Sequence, residues 1–281
     1  MIPYSSVCSP QGLRGKLRQK HRLTKQCLPF PVLPHGLLFV KNIKSHIHEF
    51  FFALVRLSYY NQLLLQTKEL KRVSPDCPIL FCDEHLLIVG KPTGLLTVPG
   101  KGADKQDSLL TRLQAIYADA RIIHRLDQDT SGLLVFARSL AAQQHLNKQF
   151  ADRQFTKHYI ALAYGHFAET RGEIDVPLRY DREHPPLHIV DYDNGQQALT
   201  RWQVLARQAK STRVLLMPVT GRSHQLRVHL QTLGHPILGD TLYAPQEAIA
   251  LSSRLCLHAE MLEFMHPIRL ETVRFTWPSP F

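Results

Sequence analysis

Two aspartates, an arginine and a histidine fall within six residues of the stretch IIHRLDQDTSG, Ile122–Gly132. A carboxylate at Asp127 could act as a nucleophile or a general base. Asp127 and Asp129 together could hold a divalent cation, although such pairs are common by chance. A second charged stretch is VTGRSHQLRVHL, Val219–Leu230. It reads as a strand ending at a glycine turn, with a helix beginning behind it. Arg222 stands at that helix start, where backbone N–H groups favour an anion. Arg227, in the second turn, could point the same way or pair with a carboxylate. Exposed ion pairs worth ~0–1 kcal/mol each are the plainer explanation of the two arginines taken alone.

These residues need rigid elements beneath them. LLVFA after Asp127 reads as a buried strand, and loops held at strand ends commonly carry catalytic groups. Upstream, ILFCDEHLLIVGKP reads as two short strands around an acidic turn, and DSLLTRLQAIYADA as a helix capped by Asp107. Downstream, SLAAQQHLNKQFADRQ reads as a helix capped by Ser139, and TKHYIALAYGHF as a strand. LTRWQVLARQAKSTRVLLMPVTG gives two strands, and SHQLRVHLQTLG a helix capped by Ser223 and ended by Gly234. LCLHAEMLEF and TVRFTW are the last strands. Strands and helices mix without a strict βαβα rhythm, so the expected class is α+β with a mixed sheet.

The composition excludes several classes. With 44% hydrophobic residues, 281 positions can bury a sizeable core. Five cysteines without a CxxC pair argue for free thiols and against a zinc site. His184 and His188 have helical metal spacing, but HPPLH carries two prolines between them, and no metal is expected. The glycines and lysines of TGLLTVPGKGADKQD lack the Gly-Lys-Ser/Thr of a phosphate loop. No stretch has the ~18 apolar residues of a membrane span, and no signal-peptide layout is expected.

The charge of +11 is uneven. Residues 1–75 hold 12 Lys/Arg against 2 Asp/Glu, whereas residues 76–281 hold 22 against 21. The first segment is expected to be a weakly ordered basic extension. It reads alternatively as an RNA-binding arm, a targeting segment or a stretch outside the working protein. Residues 76–281 are the expected catalytic domain.

The motifs gain weight together. HRLDQDTSGLLVFAR resembles the signature of the RluA family of RNA pseudouridine synthases, and TGRSHQLRVHLQTLGHPILGDTLY is similar to its later motif. LLIVGKPTGLLTVPG and KHYIALAYG resemble its opening loop and tyrosine segment. The TVPG loop and the GHPILGDTLY segment are most similar to the RluA branch itself. The four motifs keep one order from about Ile79 to Trp277, and the first 75 residues lie outside them, with no likeness to an S4 domain.

The resemblance implies a pseudouridine synthase fold: a mainly antiparallel mixed sheet flanked by helices around a central cleft. It implies isomerisation of uridine to pseudouridine without cofactor or metal. It maps the essential aspartate onto Asp127, the tyrosine against the uracil onto Tyr159 and the arginine pairing with the aspartate onto Arg227. Arg125 matches the arginine that fills the gap left by a flipped base, and His124 and Arg222 are further candidate RNA contacts. Implied substrates are a uridine in a tRNA anticodon stem-loop and one in a 23S rRNA hairpin; a different RNA uridine is the alternative. A non-catalytic RNA-binding scaffold and a carboxylate-based hydrolase are the competing classes. A monomer in the bacterial cytoplasm is expected. His229 and His235 read as structural. Lys91 and Lys101 read equally as an RNA groove or a solvated loop.

Overall fold

A computed structural model describes residues 73–281. The basic extension, its boundary at residue 75 and the start of the chain therefore lie outside, or at the edge of, the described residues. The sheet is built from β1 (Ile79–Cys82), β2 (Leu86–Lys91), β3 (Arg121–Ile122), β4 (Ser131–Ala137), β5 (Thr156–Tyr164), β6 (Arg171–Asp175), β9 (Leu199–Arg207), β10 (Ser211–Pro218), β11 (Leu257–Met265) and β12 (Thr272–Thr276). Its main path runs β1-β2-β4-β11-β5-β10-β9-β6, with β3 on β4 and β12 on β11. The β4–β11 pair is parallel and the others are antiparallel. β7 (Leu178–Tyr180) and β8 (His188–Val190) form a separate hairpin. The mixed, mainly antiparallel sheet is the expected architecture.

β4 explains why its sequence is apolar without alternation. All seven residues are buried. Leu134 and Phe136 pack with Leu109 and Leu113 of α1 (Leu109–Gln114). Leu133, Val135 and Ala137 pack with Ala142 and Leu146 of α2 (Leu140–Ala151). A strand covered on both faces has no polar side to present. Each such side chain contributes roughly 1.5–3 kcal/mol when fully buried.

Two helix caps differ from expectation, and one agrees. Ser139 caps α2, accepting from the Ala142 N–H at 3.1 Å. Ser108, not Asp107, caps α1; Asp107 instead takes the Arg112 guanidinium in two bonds of 2.7 and 2.6 Å. That helix is also shorter than its pattern, because the chain turns after Gln114 to bring β3 onto β4. Ser223 does not cap α3 (Gln225–Thr232). His224 is the N-cap, in the left-handed region at φ 54°, and no side chain caps from there. The buried amide of Gln225 holds the turn from within, accepting from Arg222 N–H and Thr220 Oγ1 and donating to Leu199 O and Thr200 Oγ1. Gly234, at φ 78°, follows the helix as expected.

The parallel contact between β4 and β11 fixes the register of the whole centre. Gly132 faces Ala259, and Ala259 faces Tyr159 on β5. Gly132 sits at φ 128°, and a Cβ there would lie 2.4 Å from Ala259 N. Only glycine allows both that backbone and that approach. Gly132→Ala is therefore expected to cost about 3 kcal/mol or more. A thermal melt should show a drop of about 6–12 °C for a domain of this size; an unchanged melting temperature would contradict the packing described.

Candidate active site

The segment before β4 is held through its own carbonyls. Thr97 Oγ1 donates to Leu126 O at 2.7 Å, Lys91 Nζ to Gln128 O at 2.7 Å and Thr93 Oγ1 to Asp129 O at 2.6 Å. The fourth carbonyl, Asp127 O, accepts from Thr130 N–H at 3.2 Å. Four successive backbone acceptors are thus occupied, three of them by the end of β2 and the loop that follows it. Among the described residues nothing hydrogen-bonds to the half-buried Asp127 carboxylate, and it faces a cavity of about 460 Å3. That volume lies within the ~300–1,000 Å3 typical of small-ligand pockets.

All six candidate residues line this cavity: Asp127, Tyr159, Arg227, Arg125, His124 and Arg222. They come from the loop before β4, from β5, from the turn into α3 and from the first turn of that helix. Tyr159 is half-buried by exposure and its hydroxyl is desolvated; that burial together with the Asp127 charge raises its pKa, so the phenol keeps its proton. It can stack on a base and donate a hydrogen bond. Passing a proton onward would require giving up its own at the same moment.

Arg227 differs from expectation in its direct partner. Its fork closes on Asp240, with Nε to Oδ2 at 2.8 Å and Nη2 to Oδ1 at 2.6 Å, both groups buried. Burial opposes its charge, but Asp240, with Asp127 at longer range, holds the guanidinium charged. The reason is geometric: Asp240 also accepts the N–H groups of Leu242 and Tyr243, which fixes it under the helix. Arg227 is thus bonded to Asp240 and meets Asp127 only at longer range.

His124 is buried. Its Nε2 accepts from Val135 N–H, and its ring stacks on Phe150 at 5.5 Å. Burial, helped by Lys157, pushes its pKa down to about 3. A neutral ring tied to the sheet forms a wall of the cavity and offers no charge to a phosphate. Arg222 is exposed and donates to Gln197 O, while its backbone N–H is taken by Gln225. Arg125 is exposed and makes no ion pair among the described residues. Asp129 does not line the cavity. His184 bonds Asp181, whereas His188 belongs to the cavity wall, so the two do not converge. No helix among the described residues is long and apolar enough to cross a membrane.

The chain resembles known proteins in sequence and in fold. The family model described as RNA pseudouridylate synthase matches residues 85–232. A relative from Pasteurella multocida, named "Dual-specificity RNA pseudouridine synthase RluA", is 48% identical over 208 residues, covering 74% of this chain and 95% of the relative. Those of the same name from Haemophilus influenzae and Escherichia coli are 46% identical, covering 74% and 72% of this chain and 96% and 93% of theirs. The chain belongs to the RNA pseudouridylate synthase family. The solved structure titled "Human RNA Pseudouridylate Synthase Domain Containing 1" matches with a TM-score of 0.63 at 31% identity, over 75% of this chain and 86% of that one. "Human RNA Pseudouridylate Synthase Domain Containing 4" matches at 0.58 and 28%, over 72% and 88%. The enzyme is thus an RNA pseudouridine synthase, and its substrate is RNA.

The cavity of this synthase also contains residues that the motifs do not single out. Lys157 lies two positions before Tyr159, so strand alternation puts both on one face of β5; that spacing could have revealed it. Its Nζ sits 4.9 Å from the Phe150 ring centroid. With Lys157 included, four cations and one carboxylate line the cavity. Lys91 is neither groove nor solvated loop. It is fully buried and gives its three N–H groups to Pro92 O, Leu95 O and Gln128 O. Burial pushes its pKa down to about 7 against the pull of Asp129 and Asp127.

Lys91→Met is expected to lower stability by about 2–4 kcal/mol at neutral pH, since it leaves buried carbonyls unpaired. The same residue sets a pH dependence. Between about 7 and the ordinary 10.5 the unfolded chain holds a proton that the folded chain has released. Raising pH through that window therefore favours the folded state, and the gain is lost as pH falls to about 7. Denaturant melts across that window should show this slope in the wild type and its loss in Lys91→Met. Parallel curves would refute it.

Proposed function

We propose that Asp127 is the essential carboxylate of uridine isomerisation and that this cavity receives a uridine flipped out of its RNA. The observation that supports this best is a carboxylate without a hydrogen-bonding partner among the described residues, on a segment whose own carbonyls are all occupied. An ionised carboxylate left unpaired is available to attack the ribose anomeric carbon, to add to the base, or to take a proton. Arg227 adds a favourable field without bonding it. Tyr159 stacks on the uracil. Arg125, without an ion-pair partner among the described residues and close by in the chain, fills the space that the base leaves, and its planar end suits both stacking and phosphate. Arg222 and Lys157 supply further positive charge for the backbone. His124 serves as the wall behind them.

The substrates in this proposal are a tRNA anticodon stem-loop and a 23S rRNA hairpin, in keeping with the dual specificity in the relatives' names. Unpaired loop bases cost least to extrude. A monomer in the bacterial cytoplasm is the accompanying proposal, with residues 1–75 as a basic extension.

Release of tritium from 5-tritiated uridine in unmodified tRNA and 23S rRNA transcripts tests the chemistry. The wild type should release about one equivalent per RNA, and Asp127→Asn none while still binding. Release by Asp127→Asn would remove the role of that carboxylate. Arg125→Ala should weaken binding of a flippable stem-loop by about tenfold and of a plain duplex by much less. Equal loss on both, in a filter-binding titration at fixed salt, would reduce Arg125 to a nonspecific phosphate contact.

A further inference from the structure

We propose that His224 is a substrate-contacting residue of this cavity, donating a hydrogen bond from Nε2–H to a carbonyl oxygen of the target uracil. The inference rests on the placement of that base beside Asp127. Three features of the structure lead to it.

The first is the backbone. His224 is one of three non-glycine residues at positive φ among the described residues, and the one of them that lines the cavity. Imidazole tolerates this region less readily than glycine does, and strain of this kind collects at functional sites.

The second is the tautomer. Tyr243 Oη accepts the His188 backbone N–H at 2.8 Å and lies 2.6 Å from His224 Nδ1. Burial pushes the Tyr243 pKa up to about 12, so the phenol carries its proton. Among the described residues that proton has one acceptor, which is Nδ1. The His224 proton must then sit on Nε2, at the other edge of the ring. Tyr243 is itself fixed beneath the Arg227 guanidinium, 5.1 Å from its ring centroid.

The third is what Nε2 meets. It has no partner among the described residues, and it is not among their sealed, unpartnered side-chain atoms, which are His188 Nδ1, Trp202 Nε1 and His229 Nε2. A donor on a cavity wall without a protein acceptor is placed for a ligand. Burial keeps the imidazole neutral against the pull of Asp127. Arg125, Arg222 and Lys157 already supply charge for phosphate. A neutral donor matches a neutral acceptor, and uracil offers two carbonyls.

Two amides separate this role from a structural one. Glutamine places its N–H near the position of His Nε2, and asparagine places its amide near Nδ1. Asparagine also suits the left-handed backbone best. His224→Asn should therefore stay folded, keep a partner for Tyr243 and slow single-turnover tritium release by about tenfold, the size of one neutral hydrogen bond at its upper end. His224→Gln should recover most of that loss. The reverse order, or two equal rates, overturns the inference. RNAs with 5-tritiated 2-thiouridine or 4-thiouridine at the target identify the acceptor. Sulfur accepts weakly, so on one of them the ratio of wild type to His224→Asn should fall towards one. An unchanged ratio on both assigns the bond to ribose or phosphate and overturns the inference, while the role of Asp127 stands. No release by the wild type from any RNA removes both.

Discussion

Lys91 ties the Asp127 segment to the rest of the sheet. An ammonium with no exposure is costly to bury, by several kcal/mol even after relaxation. Three carbonyls offset that cost, one of them on the residue after Asp127. With Thr93 and Thr97 it forms a clamp whose donors all come from the end of β2 and the loop after it, and whose acceptors lie on the segment before β4. The two motifs are distant in sequence and function as one piece. Because the clamp uses backbone acceptors alone, it immobilises Asp127 without engaging its side chain. A carboxylate clamped through its own oxygens would be rigid but less reactive.

Electrostatics divide the same way. Residues 76–281 are close to neutral, so they exert little long-range pull on RNA. The cavity itself is lined by four cations and Asp127. One of the four, Arg227, has most of its charge met by Asp240. What Asp127 feels is therefore weaker than a direct ion pair. A direct bidentate pair would occupy both carboxylate oxygens. Attraction at longer range leaves the lone pairs free.

Much of this was legible in the sequence. The unbroken apolar run of β4, the β-branched and aromatic residues of β5 and the 3.6-residue pattern of α3 each predicted their element. The family resemblance implied the grouping of Asp127, Tyr159 and Arg227, and all three line one cavity. The misses have physical causes. Asp107 and Ser108 are both good caps, and the choice depended on where Arg112 drew the aspartate. The cap at Ser223 failed because a buried Gln225 does that work from inside the helix, an arrangement decided by the depth of the residue. A lysine in a Gly-Lys-Pro turn reads as surface, and only the folded loop shows three carbonyls converging on it. The Arg227–Asp240 bond joins residues 13 apart through a turn, with no periodicity to announce it.

The strain at His224 follows from these constraints. Gln225 must enter the core to hold the turn, and Arg227 must lie over Tyr243 to reach Asp240. Both conditions fix the first turn of α3. Ser223 and Arg222 must meanwhile stay outside, on the rim. A chain going from rim to core in one residue needs a sharp reversal, and the left-handed conformation supplies it. Glycine would do this with less strain. A histidine there is costlier for stability by an amount that only the side chain can offset. The hydroxyl of Tyr243 returns part of it as a hydrogen bond, which leaves one ring edge turned to the cavity. The left-handed residue that lines the cavity is thus the one whose far nitrogen has no partner among the described residues, and the proposed hydrogen bond to the base would use it.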